Sequence, residues 1–147
     1  MRDRGLLESA TARPFHSVFQ QDAYPTVFDK GVALFHALIS DHPFQDGNKR
    51  TAVVALNHFL IANAFIQLLS DEELYSMAVQ TASYRARGLN HDDALAEISR
   101  TLQVWNIPLV ELRRGRGDDR LLSALYDDQV ALRKRIRSDA RNSLLPE

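Results

Sequence analysis

Cysteine is absent from the 147-residue chain. Disulfide staples and thiolate-bound zinc are therefore excluded. A dominant charge is absent too: 18 Lys+Arg against 19 Asp+Glu leave a net charge of -1. No global field draws the chain to nucleic acid or to an anionic membrane, and neither is expected as a partner. No apolar run approaches the ~20 residues of a membrane span. The opening MRDRGLLESA lacks the apolar core of a signal peptide, so the expected compartment is a cytoplasm. There is no internal repeat, and strand-like alternation is scarce.

What is present suits a globular domain. Hydrophobic residues make up 45% and charged residues 25%, enough to bury a real core at this length. Charge is unevenly placed. Residues 1–110 hold nine basic and twelve acidic side chains, whereas residues 111–147 hold nine and seven. The break coincides with Arg113-Arg114-Gly115-Arg116-Gly117, a loop signal. The expected organisation is a body over 1–110 and a charged helical tail over 111–147.

Helical patterning recurs along the body, so the expected fold class is mostly α. Leu6, Leu7 and Ala10 suggest a short first helix. The stretch from Arg13 to Pro25, with two prolines and mixed aromatics, reads as loop or a small hairpin. Thr26-Val27-Phe28-Asp29 resembles a capping box, with Val32, Leu34, Phe35, Leu38 and Ile39 forming an apolar face up to Ser40. A second helix is expected from about Lys49 to Ala62, apolar enough to be central. Ser70-Asp71-Glu72-Glu73 opens a third, to about Arg87, and Asn90 a fourth, to about Val104. Phe65-Ile66-Gln67-Leu68 suits a strand, and Pro108 closes the body. Leu121, Leu122, Leu125, Val130, Leu132 and Ile136 support a tail helix.

Between two of these helices lies HPFQDGNKR, residues 42–50. The amides of residues 48–51 would open a buried helix and form an anion site. Gly47 lets backbone approach a ligand closely. Lys49 and Arg50 put two cations at the wrong end of the helix dipole, a cost that a bound anion would offset. Asp46 suits Mg²⁺, which takes few carboxylates plus phosphate oxygens. Histidine is the side-chain type suited to proton transfer near neutral pH, so His42 is a candidate general base. Phe44 is the apolar anchor of the loop. The plain alternative is a polar connector with Asp46-Gly47 as a turn and Asn48 as N-cap.

HPFQDGNKR closely resembles the Fic/Doc motif H-x-F-x-[D/E]-G-N-[G/K]-R, in register from His42 to Arg50. RDRGLLESATARP and YPTVFDKGVALFHALI before it, and KRTAVVALNHFL after it, look like Doc-type (death-on-curing) toxins, so the likeness runs from about Arg2 to Trp105. The resemblance implies a compact Fic-type helical bundle that acts on a nucleoside triphosphate such as ATP. It makes His42 the base for a target protein's hydroxyl and Asp46 the Mg²⁺ ligand. Gly47, Asn48, Lys49 and Arg50 become the nucleotide-binding cradle. A small hairpin around His16 would be the flap that docks the target.

Adenylyl-transferring Fic enzymes usually have Gly at the position of Lys49 and a second arginine at the position of Val53. Lysine fills space where the terminal phosphates would lie, and valine removes a bidentate clamp. The resemblance to Doc then implies phosphoryl transfer with the γ-phosphate toward His42, as in modification of a translation elongation factor. AMP transfer is the alternative, and a catalytically weak nucleotide- or antitoxin-binding module is another. Val53 also removes the receptor for an inhibitory glutamate. No [S/T]-x-x-x-E-[G/N] motif occurs, so control is expected from a separate antitoxin that folds on binding. Doc-like proteins usually carry a further helix before GLLESA, so a shortened N-terminus leaning on a partner is one expectation. The tail would pack on the body, form a homodimer or bind an antitoxin, with a solvated amphipathic helix as the plain alternative. His16, His36, His58 and His91 are expected to be ordinary core or surface residues, and none has the H-x₃-H spacing of a zinc site.

Overall fold

Each helix starts where local chemistry can satisfy its first amides. The computed structural model describes residues 1–110. Helix α1, Arg4–Ala12, is capped by Asp3, whose carboxylate accepts from the amides of Gly5 and Leu6. Thr26–Asp29, Ser70–Glu73 and Asn90–Asp93 form reciprocal capping boxes. These open α2 (Val27–Ser40), α4 (Asp71–Ala82) and α5 (His91–Trp105). Helix α3, Asn48–Ala62, follows Gly47 and has no side-chain cap.

Between α1 and α2 the chain forms a 3-10 turn, Arg13–Phe15, and then a small hairpin of β1 (Ser17–Val18) and β2 (Gln21–Asp22). Phe19 and Gln20 make its two-residue turn, with φ of 50° and 65°. Two left-handed residues give the turn the twist that a tight hairpin needs. A second small sheet pairs β3 (Phe65–Gln67) with β4 (Asn106–Pro108). The mostly α fold expected of a Fic-type bundle is what these residues form: five α-helices with two short two-stranded sheets among the described residues.

The central helix is α2, not α3. Residues Gly31–Ile39 are all buried, and α2 packs against α1, α3, α4 and α5. A helix apolar around its circumference belongs at the centre. Helix α3 buries one side, with Ala52, Val53, Leu56 and Leu60 in the core, while Val54 and His58 face solvent. The two helices approach closely at Gly31, where a Cβ would meet Leu56 Cδ1 at 3.3 Å and Phe59 Cδ1 at 3.4 Å.

Other boundaries also move. Helix α4 ends at Ala82 rather than near Arg87. The next residues tighten into turns that bring Tyr84 inward, 7% exposed, against His36. The Arg87 guanidinium donates to Gln80 O at 3.0 Å and so satisfies a C-terminal carbonyl of α4. Strand β4, absent from the sequence reading, pairs with the expected β3. The tail-helix expectation lies outside the described residues. No helix among the described residues is long and apolar enough to cross a membrane.

Candidate functional site

The motif loop is built on the C-terminus of α2 and the N-terminus of α3. Asp41 closes α2, its amide donating to Ala37 O. His42 then adopts φ 49°, the left-handed region. For a non-glycine residue this costs about 1 kcal/mol or more and persists only where surroundings enforce it.

Three contacts enforce it here. The amides of Arg2 and Asp3 both donate to Pro43 O, at 2.9 and 3.2 Å. Arg13 Nη2 donates to Asp41 Oδ2 at 2.9 Å. The Asn48 side chain grips Phe44 twice: Oδ1 accepts from the Phe44 amide and Nδ2 donates to its carbonyl, both at 2.9 Å. Pro43 is fully buried and Phe44 only partly, and the contacts that hold Phe44 are those of its main chain with Asn48.

Gly47 has φ 82° and is the N-cap residue of α3; Asn48 is the first helical residue instead. A Cβ at Gly47 would meet nothing within 4 Å. The glycine is therefore required by its backbone angle, while the open side remains accessible. The first helical bond runs from the Thr51 amide to Gly47 O at 2.8 Å, so Thr51 does not belong to the exposed amides. Those of Asn48, Lys49 and Arg50 precede it without a side-chain cap.

The remaining side chains of the motif carry few bonds. His42, Asp46 and Arg50 are exposed and Lys49 is half-buried. Among the described residues, His42, Lys49 and Arg50 make no side-chain hydrogen bond or ion pair. Asp46 uses Oδ1 to accept from the Gly47 amide at 2.6 Å, which leaves Oδ2 for another partner. A lone carboxylate fits a cation that draws its other ligands from phosphate and water. No group of three or more His, Asp or Glu able to hold a metal occurs among the described residues.

Helix α2 carries a second histidine in the core. His36 is 3% exposed, with its ring edge-on to His91 at 4.7 Å between centroids and tilted to Tyr84 at 5.5 Å. Burial, and then the charges of His91, Arg13 and Arg85, lower its pKa from 6.5 to about 4. His36 is thus a neutral core residue. His91, although exposed, is its ring partner rather than a fully solvated side chain. His58 is exposed and holds Val54 O through Nδ1 at 2.9 Å. His16 is exposed at the base of the hairpin, where its carbonyl accepts from the Ala23 amide at 2.9 Å.

Sequence reasoning missed the supports. Asp41 and Arg13 are 28 residues apart and Pro43 is held by the chain's first residues, so no local pattern exposes them. Lys30 was missed as well. Its ammonium binds Asp22 Oδ2 at 3.0 Å, Tyr24 O at 2.6 Å and Pro14 O at 3.4 Å.

A helical bundle that presents an H-x-F-x-D-G-N-K-R loop at a helix N-terminus has the build of a Fic-type protein. The profile described as the Fic/DOC family matches residues 1–60. Toxin Doc of Mycolicibacterium smegmatis (strain ATCC 700084 / mc(2)155) is 38% identical over 99 residues, which span 67% of this chain and 75% of that protein. The chain belongs to the Fic/Doc family, whose members are transferases. No solved structure matches it.

Proposed function

We propose that this chain is a Doc-like toxin that transfers a phosphoryl group from a nucleoside triphosphate to a hydroxyl of a target protein. The target class favoured is a translation factor, the compartment is the cytoplasm, and an antitoxin supplies control. The observation that carries this reading is Lys49: a half-buried residue whose ammonium has no partner among the described residues, in the first turn of an uncapped helix. Cations there oppose the helix dipole, so the arrangement gains stability only when an anion arrives. Val53 supports the same reading. It is 5% exposed and part of the core, so it supplies no second cation for the α- and β-phosphates.

The roles follow from the chemistry of each group. The amides of Asn48 to Arg50, with Lys49 and Arg50, hold the terminal phosphates. Asp46 Oδ2 is the free oxygen for Mg²⁺, which would neutralise phosphate charge. His42 takes the proton of the incoming hydroxyl. The hydroxyl oxygen bonds to the γ-phosphorus as its bond to the β–γ bridging oxygen breaks, and the nucleoside diphosphate leaves. The hairpin Ser17–Asp22 docks the target segment. Phosphoryl transfer asks chiefly for positioning and charge neutralisation, which this loop is built to give.

The test is incubation of the chain and a His42→Ala variant with Mg²⁺, γ- or α-labelled ATP and a bacterial lysate. His42-dependent γ-label on one protein supports the reading. Label from the α-phosphate alone overturns it in favour of AMP transfer. Nucleotide binding by calorimetry without label in either channel overturns it in favour of a binding module. Native mass spectrometry after co-expression with the neighbouring gene product tests antitoxin control, and absence of a complex counts against it.

A further inference from the structure

Asp41 is an acidic residue at the C-terminus of α2, the negative end of the helix dipole. That position disfavours a carboxylate unless a cation opposes it. Arg13 does so at 2.9 Å, with side-chain exposures of 27% and 19% for the two partners. Such a pair is shielded from salt more than a surface pair. The next residue, His42, has a left-handed backbone that its surroundings must enforce. Arg13 also opens the 3-10 turn that ends at Phe15, with His16 alone between it and the hairpin's first residue, Ser17. Lys30 of α2 pins that hairpin at Pro14 O, Asp22 and Tyr24 O, but reaches nothing in the motif loop.

We propose that Arg13 is a positioning residue: through Asp41 it fixes the hairpin to the backbone that carries His42, so that a hydroxyl laid along the hairpin meets the imidazole at one set distance. Lys30 stiffens the hairpin from below. Among the described residues, Arg13 alone joins the segment that leads into it, by a side-chain contact, to the residue beside the base. Arg13 touches neither nucleotide nor target. The roles of hairpin and His42 rest on the proposed function; the mechanical coupling between them does not.

The coupling is read by millisecond hydrogen exchange on the full chain. Arg13→Gln should speed exchange at residues 16–23 and at 41–44 together, by roughly tenfold. Lys30→Met should speed it at 16–23 only. Arg13→Lys, which keeps the charge, should restore much of the protection. In the transfer assay Arg13→Gln should lower kcat/KM for the target protein by roughly 10–100-fold, with nucleotide affinity unchanged, because misplacement by an ångström costs that much.

Native exchange at 41–44 in Arg13→Gln overturns the proposal. So does a uniform rise across all helices, which marks a merely structural role, or an Arg13→Lys variant as impaired as Arg13→Gln. Should Arg13→Gln fail to fold, Asp41→Asn breaks the same pair and is read by the same two segments. A wild-type chain that transfers no label sinks the proposed function, while the exchange pattern still decides the coupling.

Discussion

Replacing His36 by phenylalanine removes a titrating ring from the buried stretch of α2. In the native chain this ring is 3% exposed and its pKa is lowered from 6.5 to about 4, by burial first and then by His91, Arg13 and Arg85. The unfolded chain takes up the proton as pH falls through 6.5, whereas the native chain takes it up only near 4. Between those values the unfolded state binds more protons, so stability rises with pH. The contribution is whole above 6.5 and is lost as pH falls through the window. The gap corresponds to roughly 3 kcal/mol by pH 4. That is a large share of the roughly 10 kcal/mol that holds a domain folded.

The assay is urea unfolding of the native chain and His36→Phe at steps from pH 7 to 4. Carboxylates that titrate in the same range act on both chains and cancel in the difference. Loss of the contact with Ser40, at 3.3 Å from the ring, adds an offset that does not vary with this ring's charge. The advantage of the native chain over the variant should therefore shrink by roughly 3 kcal/mol across the range. Two curves that stay parallel would refute the reasoning, because they would mean that His36 takes up no more protons unfolded than folded.

Asn48→Ala removes both bonds to the Phe44 main chain and should cost about 2 kcal/mol in chemical denaturation. Asn48→Asp keeps an acceptor for the Phe44 amide and should fall between. Gly47→Ala forces a Cβ into φ 82° with open space around it, so the loss should be about 1–2 kcal/mol; a much larger loss would point to a steric cause. Leu56→Ala empties a fully buried site between α2 and α3 and should cost about 2–5 kcal/mol, read from the thermal midpoint. Ser70→Ala breaks a capping box and should cost about 1 kcal/mol, with little effect on nucleotide binding.

Much of this fold was legible because its helices carry their own punctuation. Thr26–Asp29, Ser70–Glu73 and Asn90–Asp93 mark their helix starts within a few residues. The apolar period of Val32 to Ile39 marked the core face of α2, but the burial of Gly31, Ala33, His36 and Ala37 depends on four neighbouring helices that no local window contains. That is why α3, rather than α2, looked central. The end of α4 was illegible for a similar reason: Tyr84 leaves the helix to pack on His36, 48 positions earlier. Strand β4 is three residues long and includes a proline, so only its pairing with Phe65–Gln67 defines it.

The motif loop divides the same way. Its chemistry is local, since His42, Asp46, Lys49 and Arg50 are readable by type and spacing. Its geometry is not. Asn48 does its structural work nearby, four residues from the Phe44 it grips, and Asp46 holds the adjacent Gly47 amide. The other clamps come from Arg2, Asp3 and Arg13 at the start of the chain. Among the described residues, the side chains able to do chemistry make no bond that would have to break before a ligand binds, while the backbone between them is held from three directions. Preorganisation of this kind places charge without reorganisation at the moment of reaction. It also locates sensitivity: substitutions at Arg13 or Asp41 should change where His42 sits, and substitutions at Asn48 where the α3 amides sit, without changing what they are.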